Sequence, residues 1–146
     1  MVNVIGLGYI GLPTTLMMAS HGVDVVGTSH RQSQVDELRQ GKVTFKKKGL
    51  DELFQESIKG GVKFTTKYQV ADTYVISVRI PYNKFTKKID AKYVVEALKD
   101  VLTVTPKGCT IVIESTVSPG TIDEYVRPVI RAAGINIGTD YLYKEK

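Results

Sequence analysis

Three glycines spaced G-x-G-x-x-G close a short apolar run, Val2-Asn3-Val4-Ile5-Gly6-Leu7-Gly8-Tyr9-Ile10-Gly11, and this stretch constrains the fold more tightly than any other. The run is too short for a helix of its own and is rich in Val and Ile. Leu12, Leu16, Met17 and Ala19 follow at roughly helical spacing, so the segment reads as strand, tight turn and helix. In that context each glycine has a separate reason. Gly6 permits the turn, Gly8 lets a pyrophosphate approach the backbone, and Gly11 lets the helix pack on the strand. The N–H groups of Tyr9, Ile10 and Gly11, at the helix N-terminus, then face the phosphates of a dinucleotide.

The remainder alternates strand and helix patterns. Gly22 is placed to end the first helix, with His21 in its last turn, where a cation suits the dipole; His21 is therefore expected to be structural. Val23 to Thr28 is the second strand. Ser33 with Asp36 reads as the cap of a short helix ending at Gly41, and Leu50, Leu53, Phe54 and Ile58 mark another helix closed by Gly60-Gly61. Val62 to Thr66 and Thr73 to Val78 are strands, the latter ending in the loop Arg79-Ile80-Pro81-Tyr82. Asp90 caps a helix whose apolar positions, Ala91, Val94, Val95, Leu98, Val101 and Leu102, form one stripe. Cys109 to Glu114 is a strand, Ser118 and Pro119 read as an N-cap and N1 pair, and Ile122, Tyr125, Val126, Val129, Ile130 and Ala133 form the next stripe. A last short strand is expected at roughly Tyr141 to Tyr143. The pattern predicts an α/β fold, a Rossmann-like doubly wound parallel sheet with helices on both faces in three layers.

The residues just past the second strand are where such a fold reads the adenosine ribose, and an acid there accepts the 2′-OH of NAD. Here they are Ser29-His30-Arg31. A small hydroxyl followed by a guanidinium, whose fork suits a phosphate and whose plane can stack on adenine, favours NADP over NAD. The opposing interpretation makes Arg31 a solvated surface residue beside a weakened NAD site. His30 is offered as an additional contact to a 2′-phosphate.

At 146 residues, 42% hydrophobic and 24% charged, the chain is expected to form a single domain over residues 1–146. The only cysteine, Cys109, lies in an apolar strand and is expected to be a buried thiol, which with the absence of a membrane-length apolar run points to a cytoplasmic protein. A net charge of +5 suits phosphate-bearing ligands. Lys46-Lys47-Lys48, Arg79, Lys84, Lys87 and Lys88 are spread over separate loops without an RNA-binding motif, which argues against nucleic acid.

Longer segments carry a family resemblance. Val4 to Pro13, Gly49-Leu50-Asp51-Glu52-Leu53, Ala71-Asp72-Thr73-Tyr74 and above all Ile113-Glu114-Ser115-Thr116-Val117-Ser118-Pro119-Gly120-Thr121 resemble the N-terminal domain of the nucleotide-sugar 6-dehydrogenases. Tyr82 to Asp90 is most similar to the branch acting on UDP-N-acetylhexosamines. The resemblance implies oxidation of a sugar C6 alcohol to a carboxylate with hydride transfer to NAD. It also implies a cofactor bordered by Val78, Arg79, Pro81 and Thr116 as well as by the glycine turn.

Departures from the family pattern cluster at the ligand edge. Ser29 replaces an acid, Lys46 and Lys47 stand where acids are expected, and Val78-Arg79-Ile80-Pro81 replaces Val-Pro-Thr-Pro. The family's catalytic Cys, Lys and Asn belong to a part that this chain does not contain, so no catalytic residue is assigned. These features are expected of an engineered, truncated cofactor-binding domain, inactive alone, for which a homodimer would cover newly exposed apolar surface. A rewritten scaffold or interaction module without cofactor binding is the alternative.

Overall fold

In a computed structural model the described residues are 1–138 and the backbone of 142–145. Six parallel strands form one sheet: β1 (Val2–Ile5), β2 (Val25–Thr28), β3 (Lys63–Thr65), β4 (Thr73–Ile76), β5 (Thr110–Ile113) and β6 (Leu142–Glu145). Their spatial order is β3-β2-β1-β4-β5-β6. The order reverses between β1 and β4, whose register pairs Val2 with Thr73 and Ile5 with Ile76. Ligands of open α/β sheets bind at such a reversal, beyond the carboxyl ends of the strands. Tyr141, part of the expected last strand, lies outside the described residues.

Period-two alternation divides the strand side chains between two apolar layers. Ile5, Tyr74, Ile76, Ile111 and Ile113 pack on one face with α4 (Lys92–Val104) and α5 (Arg127–Ala132). Val4, Val25 and Val75 turn to the other, where Ala19 of α1 (Gly11–Ser20) meets them. Leu12 and Leu16 of α1 also join α2 (Gln32–Arg39) and α3 (Leu50–Lys59) through Val35, Leu38, Leu50 and Phe54. Both faces are covered, which is why the central strands read as almost continuous apolar runs.

Several local expectations are corrected. Ser33 lies within the first turn of α2, whose N-cap is Arg31 and makes no side-chain cap hydrogen bond. Ser118 and Pro119 do not start the last helix: Gly120, at φ +85°, reverses the chain, and Ser118 accepts both the N–H and the hydroxyl of Thr121. The turn that follows, Ile122–Val126, is π-helical before α5 continues it. The loop after β4 folds as an unanticipated hairpin, Tyr82–Asn83 against Lys88–Ile89, turned by the Asn83 carboxamide, which accepts from Phe85 N and Thr86 N. No helix among the described residues is long and apolar enough to cross a membrane.

Candidate functional site

A cleft of about 520 Å³ opens at the carboxyl ends of β1 and β4. Leu7, Gly8, Tyr9 and Ile10 form its floor. The three glycines of the turn owe their identity to different things. A Cβ on Gly6 would sit 2.6 Å from the Ser77 carbonyl oxygen, and one on Gly11 would sit 1.8 Å from the Gly6 carbonyl oxygen. Gly6 also has φ +94°, open to glycine at little cost. Both are required by the fold itself, and neither lines the cleft. Gly8 is exposed, does not need a positive φ, and a Cβ there would meet nothing within 4 Å. Its lack of a side chain leaves an open cradle at the cleft floor.

α1 begins above that cradle with Ile10 at the N-cap, which supplies no side-chain acceptor, and its first turn holds no acid. A helix start without a capping side chain leaves donors and the positive dipole end for an anion. The turn therefore fits a pyrophosphate.

At one end of the cleft stand Arg31 and Gln34. Gln34 is buried, and its carboxamide oxygen accepts from the Ser29 hydroxyl at 2.7 Å and from Arg31 Nη2 at 3.2 Å. Its amide nitrogen donates to the Leu7 carbonyl at 2.6 Å and to Thr44 Oγ1 at 3.3 Å. Of the three residues expected to hold the adenosine, only Arg31 lines the cleft. Ser29 is buried beneath it and tied to Gln34, and His30 is exposed outside it. The Ser29 hydroxyl is engaged in internal hydrogen bonds to Gln34 and the Arg31 N–H.

The opposite wall comes from the loops after β4 and β5. Val78, Arg79 and Thr116 line it, together with Ile80 and Ser115; Pro81 does not. The Ser115 hydroxyl donates to the Val78 carbonyl at 2.8 Å, and that of Ser77 to the Glu114 carbonyl at 3.3 Å. These bonds clamp the two loops together. Phe45, which also lines the cleft, stacks on Tyr9 with centroids 4.5 Å apart and planes 19° from parallel.

Sequence reasoning did not identify Gln34, Glu37, Thr44, Phe45 or Ser77 as lining this cleft. One signal was available for Gln34: it shares the buried stripe of α2 with Val35 and Leu38, where an unpartnered polar side chain would be costly. The expected structural residues behave accordingly. His21 Nδ1 lies 2.9 Å from the Met17 carbonyl, and Cys109 is buried, its thiol pushed up to about 11 by desolvation. No group of three or more His, Cys, Asp or Glu able to hold a metal occurs among the described residues.

The sequence profile of the UDP-glucose/GDP-mannose dehydrogenase family, NAD binding domain, matches residues 1–141. A UDP-N-acetyl-D-mannosamine dehydrogenase of Methanococcus vannielii is 38% identical over 124 residues, covering 82% of this chain and 29% of the relative. Among solved structures, the UDP-N-acetyl-mannosamine dehydrogenase Cap5O from Staphylococcus aureus superposes with TM-score 0.92 at 39% identity, covering 99% of this chain and 35% of that one. A GDP-mannose dehydrogenase from Pseudomonas aeruginosa, solved as a ternary complex, gives 0.88 at 25% identity, with 99% and 35% coverage. The chain spans about a third of the length of these relatives.

Proposed function

This chain belongs to the UDP-glucose/GDP-mannose dehydrogenase family, as its NAD-binding domain, and we propose that its cleft binds a nicotinamide dinucleotide with a preference for the 2′-phosphorylated form, NADP(H). Gly8 carries this reading. Gly6 and Gly11 are explained by contacts within the protein, whereas Gly8 has open space where a side chain would be. That cradle supports a ligand whose phosphates come close to the backbone. Tyr9 and Ile10 would offer backbone N–H groups to the pyrophosphate, and Val78, Arg79 and Thr116 would border the nicotinamide. Bound there, the cofactor supplies a hydride acceptor; the protein's share is to hold and orient it.

The preference for a 2′-phosphate rests on the residues at the adenosine end. Where an acid would accept the ribose 2′-OH, the chain has Ser29, whose hydroxyl is already engaged, and of Ser29, His30 and Arg31 it is Arg31 that lines the cleft. A guanidinium favours a phosphate there and offers a 2′-OH no acceptor. Relatives that are 35 to 38% identical to this chain over 124 to 127 aligned residues are UDP-N-acetyl-D-mannosamine dehydrogenases. On that basis the chain is the cofactor-binding part of a UDP-N-acetylhexosamine 6-dehydrogenase.

The test compares NADPH binding by the wild-type chain and Gly8→Ala, with thermal unfolding of both. Loss of at least tenfold in affinity at an unchanged melting temperature is expected. Equal affinity in the two proteins would remove the cradle's significance.

A further inference from the structure

We propose that Gln34 is a positioning residue that sets the cofactor preference of this chain by locking the Arg31 guanidinium at the adenosine end of the cleft. The inference rests on the reading of that cleft as a dinucleotide site.

Gln34 is 5% exposed and uses the whole hydrogen-bonding capacity of its amide, two bonds accepted and two donated. Its partners fix which end of the amide is which. The Leu7 carbonyl can only accept, so it faces the NH2 group; the Arg31 guanidinium can only donate, so it faces the oxygen. No other residue type of this length meets both demands. Glutamate would pair with Arg31 but turn an oxygen against the Leu7 carbonyl. Lysine or arginine would satisfy Leu7 but repel Arg31.

The four partners come from three segments far apart in sequence: the glycine turn, the ribose-reading loop, and the loop between α2 and α3. Gln34 therefore couples the pyrophosphate cradle to the adenosine end. It also determines what Ser29 can do. The only hydroxyl hydrogen of Ser29 goes to Gln34, and the buried oxygen already accepts the Arg31 N–H. Specificity is thereby handed to Arg31, which spends one donor on Gln34 and keeps the others for an anionic group on the ribose. A guanidinium restrained in this way loses less side-chain freedom when it pairs with a phosphate.

The experiment measures dissociation constants for NADPH and NADH with the wild-type chain, Gln34→Ala, Gln34→Glu, Arg31→Ala and the double variant Gln34→Ala/Arg31→Ala. Thermal unfolding checks each protein. Arg31→Ala is expected to reduce the NADPH over NADH preference about tenfold and Gln34→Ala at least threefold. In the Arg31→Ala background, Gln34→Ala should no longer change the ratio. Gln34→Glu, which adds a negative charge beside Arg31, should shift the preference toward NADH. Gln34→Met, which keeps the side-chain length without turning a carboxylate against the Leu7 carbonyl, is measured in the same way if Gln34→Ala does not fold and should lower the NADPH over NADH preference at least threefold. Should Gln34→Ala weaken both cofactors equally, Gln34 is a structural residue only and the proposal fails while the site stands. If Arg31→Ala leaves the ratio unchanged, the assignment of Arg31 fails first and takes the proposal with it. Absence of binding by the wild-type chain would reject the dinucleotide reading itself.

Discussion

Gly11 lies directly beneath Gly6, so close that a Cβ on Gly11 would sit 1.8 Å from the Gly6 carbonyl oxygen. The first turn of α1 and the end of β1 thus share space that admits no side chain. Gly11→Ala must move backbone, and it is expected to cost about 3 kcal/mol, the upper range for overpacking. Gly6→Ala adds a residue disfavoured at φ +94° to a contact with the Ser77 carbonyl and should cost about 2 to 3 kcal/mol. Gly8→Ala should lie within about 0.5 kcal/mol of wild type. Denaturant unfolding of the three variants checks this ranking.

The Tyr9 and Phe45 rings bind the glycine turn to the loop between α2 and α3, although Tyr9 is 65% exposed. A double-mutant cycle with Tyr9→Leu and Phe45→Leu should give a coupling of about 0.5 to 1.5 kcal/mol in favour of the native pair. A coupling near zero would mean that the rings are only neighbours.

Cys109 should be inert to alkylation near neutral pH in the folded chain, because burial keeps the thiol protonated up to about 11. The same shift gives an alkaline limit. A group whose folded-state pKa is raised contributes its stability below its unfolded pKa and loses it as the pH rises through the folded value. Unfolding should therefore become easier from about pH 9 to about pH 11. Cys109→Ala should flatten that part of the profile. Tyr68, held up at about 12 by burial and by Asp100, adds to the decline from about pH 10 to about pH 12. Iodoacetamide labelling with and without denaturant, and unfolding curves across this pH range, are the measurements.

Much of the architecture was legible because the central strands are apolar runs bounded by glycine or polar turns. Parallel pairing buries them on both faces, so tertiary context reinforced what their composition implied. Caps were harder to read. Ser33 has the residue type of an N-cap but lies inside α2, which starts after Arg31 without any side-chain cap hydrogen bond. Gly120 overrides the pairing of Ser118 with Pro119 because its positive φ reverses the chain before a helix can begin. At the site, the glycine turn and Arg31 could be found from local spacing. Gln34 could not be assigned a role in this way, since its partners Leu7 and Thr44 are 27 and 10 residues away. The hydrogen bonds of the Ser29 hydroxyl likewise depend on Gln34.

The most direct measurement is a parallel calorimetric titration of the chain with NADPH, NADP, NADH and NAD at physiological salt. Tighter binding of the 2′-phosphorylated pair by roughly tenfold, about 1.4 kcal/mol, is the predicted result. Equal or tighter binding of NADH and NAD would contradict the assignment of Arg31, and no binding of any of the four would contradict the site.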